Sequence, residues 1–145
     1  MDHQWLDDDV PEFASEFQQL KDGTLNPKLK KREQLDALGV LETLRGSAAR
    51  GKLPVGPTEE FLSRTITTVG YLLELRPRFG KGRPPKRLVR LYYAEPASVD
   101  SALLPLVLST KPSGPDVGHE QQKSIVDAQT RSRTWTLMKK MEAGS

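Results

Sequence analysis

The chain has no cysteine among its 145 residues and only two histidines, His3 and His119. Disulfides and thiolate metal sites are thereby excluded, and two histidines so far apart make a zinc site a poor expectation. Aromatic residues are scarce, at 6% of the sequence, and the hydrophobic share is 36%. That is lean for a compact domain and implies that loops or tails take up a good part of the length. No apolar run approaches the roughly 20 residues that cross a bilayer. The amino end is acidic where a signal peptide would be basic and then apolar, so no membrane partner and a cytoplasmic location are expected.

Charge is present but sorted. Residues 1–20 contain Asp2, Asp7, Asp8, Asp9, Glu12 and Glu16 and no Lys or Arg. Between Leu75 and Ala94 the balance reverses: Arg76, Arg78, Lys81, Arg83, Lys86, Arg87 and Arg90 occur without a single acid, and Tyr92 and Tyr93 close the run. The net charge is only +3, so the segregation, more than the total, points to a polyanion for one face. The plainer alternative is a solvated surface whose charges serve solubility.

Alternation sorts these residues further. Successive side chains of a strand point to opposite faces, so Tyr71, Leu73 and Leu75 oppose Glu74, Arg76 and Arg78. On the return strand Val89, Leu91 and Tyr93 oppose Lys86, Leu88, Arg90 and Tyr92. Matching the apolar faces brings Arg76, Arg78, Lys86, Arg90 and Tyr92 to one side, near Glu74. Arg87 falls on the apolar side but close to the turn, and the FGKGRPP connection between the strands reads as a loop.

The remaining chain reads as helix, helix, strands, helix. Asp9 and Glu12 suggest a capping box for a helix from about Val10 to Lys21, with Phe13, Phe17 and Leu20 inside, ended by Asp22-Gly23. Asn26-Pro27 starts a second helix with Leu35, Leu38, Leu41 and Leu44 as its buried stripe. Arg45 to Pro57 reads as a loop, and residues 58–68 fit a short helix or a strand equally. A third strand covers Leu103 to Ser109, where Pro105 favours an edge position. Ser113 or Asp116 caps a last helix from about Gly118 to Lys140, with Ile125, Ala128, Trp135 and Met138 inward. The expected organisation is a flexible terminus over 1–9, one domain over 10–141 and a short tail over 142–145. The fold class is α+β: a helical hairpin on a small antiparallel sheet, followed by a carboxyl-terminal helix.

The segments YLLELR, RLVRLYY, LLPLVLSTKP and QKSIVDAQTR, in this order, resemble the RelE/ParE toxin superfamily, and within it the HigB-like, phage-derived toxins. The likeness spans roughly residues 10–133. It rests most on Leu72-Leu-Glu-Leu-Arg76 followed by Arg90-Leu-Tyr-Tyr93. The family usually opens with a strand, for which Met1–Leu6 is a poor candidate, and often carries two lysines where this chain has Lys111. The resemblance implies an endoribonuclease without metal or other cofactor that cuts messenger RNA, often on the ribosome, and that a cognate antitoxin silences. The ribose 2′-hydroxyl would attack the adjacent phosphate.

That chemistry asks for positioning, a base, charge stabilisation and an acid, which an Arg/Lys cluster can largely supply. On this resemblance Arg76 binds phosphate, Arg90 stabilises the transition state, and Tyr92 stacks a base or donates a proton. Lys86 is the candidate base, and Lys111 a further member of the cleft. Arg78, Lys81, Arg83 and Arg87 hold the RNA backbone. Against each stands a structural role: an ion pair of Arg76 with Glu74, an exposed strand Arg90, a half-buried Tyr92, solvated Lys86. Tyr93 is expected in the core, Glu74 as the group orienting Arg76, His119 as an acid or a solvent-facing residue, and Arg131 and Arg133 in ion pairs or at the RNA periphery. Two other functions fit the same fold: a ParE-like gyrase inhibitor, and a non-catalytic relative that binds nucleic acid or protein.

Overall fold

The structure is a computed structural model that describes residues 2–26, 29–56, 63–66, 69, 71–77, 87–112 and 117–144. Its elements are β1 (Gln4–Trp5), α1 (Pro11–Asp22), α2 (Lys31–Ala49), β2 (Val55–Gly56), β3 (Ser63–Thr65), β4 (Leu72–Leu75), β5 (Arg87–Ala94), β6 (Ala102–Pro112) and α3 (Val117–Ala143). Among the described residues the strands form one six-stranded sheet in the order β1-β6-β5-β4-β3-β2. The chain is thus of mixed α and β structure. The sheet departs from the antiparallel expectation at both margins, because β1 runs parallel to β6 and β2 parallel to β3, while β3 to β6 are antiparallel.

Register fixes two faces across this antiparallel core. Ser63, Leu75, Leu91 and Leu108 stand opposite one another on successive strands, and so do Arg64, Glu74, Tyr92 and Val107. The first row is buried throughout. On its side of the sheet the Tyr93 hydroxyl meets Ser63 Oγ at 2.6 Å, and the Tyr93 ring stacks against Trp5 at 5.2 Å between centroids. Trp5 Nε1 in turn donates to the Arg45 carbonyl of α2 at 2.9 Å. The second row faces α3.

Several expectations give way for identifiable reasons. The amino end is tied down: His3 N–H donates to the Ala49 carbonyl, and Gln4 and Leu6 donate to Ser101 and Leu103. Three backbone bonds and one half-buried indole outweigh the poor strand propensity of this segment. Asp9 does not cap α1, whose N-cap is Val10 with no side-chain hydrogen bond. Its carboxylate instead accepts from Trp135 Nε1 of α3 at 3.0 Å. Helix α2 begins at Lys31 and not at Asn26-Pro27, with Glu33 Oε1 accepting from Lys30 N–H at 3.1 Å.

The leucine stripe of α2 also shifts. Positions three apart drift about 60° per step around a 3.6-residue helix, so Leu41 and Leu44 are buried while Leu35 is 57% exposed. Gln34 takes the inward place, its amide donating to the Leu20 and Lys21 carbonyls at the end of α1. Residues 45–49, expected in a loop, continue α2. There Arg45 is buried, pairs with Asp7 and Glu42, and lies over the rings of Trp5 and Phe17.

Strand β6 is longer than expected and stands second in the sheet, although β1 pairs with only its first two residues and leaves Pro105 on an uncovered edge. Pro105 is tolerated because the pairing slips there: Tyr92 faces Val107 and Tyr93 faces Pro105, leaving Leu106 as the extra residue of a bulge. Because β1 covers only Ala102 and Leu103, the outer edge of β6 is completed by side chains. Glu16 Oε1 of α1 accepts from Leu108 N–H at 3.0 Å, Arg131 Nη1 of α3 donates to the Leu106 carbonyl at 2.8 Å, and the two side chains pair with each other at 2.8 Å. An ion pair thus stands in for a neighbouring strand and blocks an exposed edge. In α3, Ile125, Ala128 and Trp135 are buried as expected, whereas Met138 is exposed. No helix among the described residues is long and apolar enough to cross a membrane.

Candidate phosphate-binding site

Glu74 is the centre of the second face. It is fully buried, and a carboxylate placed there demands partners, because desolvation without them costs several kcal/mol. Arg76, two residues along, brings Nε to 3.4 Å of Oε1. Arg90 of β5 brings Nε to 3.7 Å of Oε2. Tyr92, directly across the strand pair, hydrogen-bonds to the carboxylate through its hydroxyl. From α3, Gln121 Nε2 donates to Oε2 at 3.2 Å. Arg64 of β3 stands opposite Glu74 on the other side and is close enough to act on both Arg90 and Tyr92.

Two guanidinium groups therefore share one carboxylate, and a third, that of Arg64, comes from the neighbouring strand. The electrostatics follow from burial and from this imbalance. Arg90 has its pKa lowered from the ordinary arginine value, by burial first, with Glu74 working in the opposite direction and Arg76 adding repulsion. Tyr92 is pushed well above the ordinary tyrosine range, by burial and then by the Glu74 charge. Its phenol holds its proton firmly and donates a hydrogen bond to Glu74. Tyr93 is also raised by burial, with its Ser63 bond opposing the shift, and it belongs to the core on the other face.

Of the residues singled out from the sequence, the structure brings Arg76, Arg90 and Tyr92 together around Glu74. It does not present them on an open surface: only 18% of the Arg76 side chain and 11% of the Arg90 side chain are exposed, and Tyr92 is buried outright. Lys86, Arg78, Lys81 and Arg83 lie outside the described residues. Arg87 and Lys111 are placed by backbone alone, pairing with Pro112 and Leu88 at the end of the β5–β6 ladder. Arg131 forms ion pairs with Glu16 and Glu12, and Arg133 is exposed.

Sequence reasoning missed Arg64 and Gln121. Arg64 sits in a stretch whose period fits helix and strand alike, and nothing marks one polar residue of α3 as reaching a buried carboxylate. No group of three or more His, Asp or Glu suited to a metal ion occurs among the described residues. The chain matches no protein-family model, no curated protein and no solved structure.

The cluster is a polar core built around an anion, with positive charge in excess. Arginine remains charged and offers a planar fork that fits carboxylate or phosphate oxygens equally. Arg76, more accessible than Arg90, sits where β4 leads toward the further cations of residues 78–87 in the sequence. A phosphate oxygen entering beside Arg76 would meet the same donors that now hold Glu74.

Proposed function

We propose that the protein is a toxin-type endoribonuclease of the RelE/ParE, HigB-like kind, acting on messenger RNA in the cytoplasm without a metal and held silent by a partner antitoxin. The observation that carries this reading is the convergence of Arg76, Arg90 and Tyr92 on one carboxylate, with Arg64 on the adjacent strand, which among the described residues leaves an excess of positive charge on a single sheet face. In this reading Arg76 binds the scissile phosphate and Arg90 stabilises the charge that develops on it. Tyr92, whose phenol keeps its proton, supplies the acid for the leaving 5′-oxygen. Glu74 orients both arginines. Lys86 and Lys111 remain the candidates for the base that takes the 2′-hydroxyl proton, and Arg78, Lys81, Arg83 and Arg87 the contacts to the RNA backbone.

The burial of Arg90 and Tyr92 beneath α3 favours a second reading, a non-catalytic relative that uses the same charge to bind nucleic acid. Mapping RNA 5′ ends after incubation with ribosomes and messenger RNA separates the two. New ends produced by the wild type and lost in Arg90→Ala, with circular dichroism unchanged, support the ribonuclease. Salt-sensitive RNA binding without new ends supports the binding module. Inhibition of gyrase with the RNA left whole would replace both by a ParE-like function.

A further inference from the structure

A cavity of about 240 Å³ opens between β6, α3 and the segment after α1. Its sheet side is formed in part by Val107 and Ser109, the cross-strand partners of Tyr92 and Arg90. It therefore adjoins the arginine cluster, one strand spacing of about 4.8 Å away. Leu25 gives it an apolar wall. Three of its polar groups lack a side-chain partner among the described residues. Ser109 Oγ is buried and has no hydrogen-bond partner among the described residues. Lys123 and Asp127, one turn apart on α3, border the cavity, and neither forms an ion pair or side-chain hydrogen bond with another described residue. Glu16, also at its margin, is already engaged by Arg131 and Leu108 N–H.

We propose that this cavity is a base-recognition subsite that selects guanine in a single-stranded RNA whose phosphate lies on Arg76 and Arg90. The inference rests on the ribonuclease reading for the phosphate and on the cavity alone for the base. Its volume lies below the roughly 300–1,000 Å³ of sites that take drug-sized ligands, which suits one nucleobase rather than two. A carboxylate beside an ammonium is the complement of guanine's Watson–Crick edge. N1–H and the 2-amino group donate side by side to Asp127, and O6 accepts from Lys123. Uracil offers one donor between two acceptors, and adenine and cytosine a single exocyclic amine beside an acceptor, so each leaves one carboxylate oxygen unmatched. Ser109 Oγ gains the partner that it lacks, from the ribose or the base.

The test uses the full chain and short 2′-O-methyl oligoribonucleotides, which an attack by the 2′-hydroxyl cannot cut. Fluorescence anisotropy compares oligouridines carrying one central guanine, inosine or adenine. Guanine is expected to bind about tenfold more tightly than adenine, and inosine, without the 2-amino group, to fall between. Asp127→Asn should abolish the preference and leave oligouridine affinity in place, whereas Arg76→Ala should weaken all sequences alike. In parallel, amide NMR shifts are followed as guanosine 5′-monophosphate is added, with Ser109, Ser124 and Asp127 expected to move. Absence of a guanine preference in the wild type, or its survival in Asp127→Asn, overturns the subsite while uniform RNA binding leaves the phosphate site standing. Shifts at Ser109 and Asp127 with no oligonucleotide bound support the subsite and remove the arginine cluster as an RNA site. No shift and no binding overturn both.

Discussion

Glu74→Ala is the most informative single change. It deletes the negative charge that pairs with Arg76 and Arg90 and removes the acceptor for Tyr92 and Gln121. Removing one partner of a buried ion pair typically costs about 3–5 kcal/mol, since the remaining charge stays desolvated. The arginine side chains here retain 18% and 11% of their exposure, so some charge escapes to water and the low end, about 3 kcal/mol, is expected. With a urea m-value of about 2 kcal/mol per molar for a small domain, the unfolding midpoint should fall by about 1.5 M.

The same variant tests whether the vacated place accepts phosphate. An anion that binds only the folded state at ten times its Kd returns about 1.4 kcal/mol, close to half of the loss. Inorganic phosphate should therefore restore the midpoint of Glu74→Ala by roughly 0.7 M more than it raises that of the wild type, which controls for the general stabilisation by excluded salts. Glu74→Ala combined with Arg76→Ala should show no such excess. A midpoint within 0.5 M of wild type would mean that the carboxylate does not balance the arginines. Equal responses of variant and wild type to phosphate would mean that the cluster is not an anion site.

Arg131→Ala removes the Glu16 pair and the bond to the Leu106 carbonyl. A destabilisation of about 3 kcal/mol is expected in urea, with self-association through the exposed β6 edge in light scattering. Tyr92 and Tyr93 both hold their protons more tightly in the folded state than at the ordinary value of about 10. Their stabilisation is therefore complete below pH 10 and declines as pH rises, by up to about 1.4 kcal/mol per pH unit for each tyrosine. Tyr92→Phe should flatten the alkaline loss measured by urea midpoints between pH 9 and 11; the lowered Arg90 acts in the opposite sense, and only once guanidinium begins to deprotonate. Gly23 ends α1 at φ 76°, and a Cβ there would lie 3.0 Å from Gln34 Oε1. Gly23→Ala is therefore expected to cost about 1–2 kcal/mol, seen as a lower thermal midpoint.

The composition of the cluster was legible where alternation alone decides. Two strands with one apolar face each leave one pairing that buries both, and that pairing fixes Glu74, Arg76, Arg90 and Tyr92 on one side. What alternation does not carry is how deep a face lies. The polar row reads as solvent-facing in sequence, yet α3 covers it, since the few apolar residues of that helix give no indication of which sheet face it packs on. The inner place of β6 was hidden by Pro105, which lies just past the two residues that β1 pairs and at a bulge that leaves no periodic trace. The docking of residues 3–6 depends on Trp5 meeting Tyr93 and Arg45, contacts between positions too distant for any local pattern. The helix boundaries near Asp9 and Asn26 failed for a related reason. A residue with capping chemistry can be engaged elsewhere, as Asp9 is by Trp135.

Whether the cluster serves the fold or a ligand can be decided by replacing it rather than breaking it. Apolar residues of similar volume in place of a buried ion pair are commonly neutral or stabilising by a few kcal/mol, because no charge has to be desolvated. Glu74→Leu with Arg90→Met leaves Arg76, the more exposed of the two arginines paired with Glu74, able to reach water. This double variant should lie within about 1 kcal/mol of wild type and about 3 kcal/mol above Glu74→Ala. If the network exists to hold the sheet together, the variant loses stability and nothing else. If it exists to hold a phosphate, the variant stays folded, loses RNA cleavage, and binds oligouridine with a salt slope smaller by about one. A well-folded double variant with unchanged affinity, salt slope and cleavage would show that these residues take no part in binding RNA.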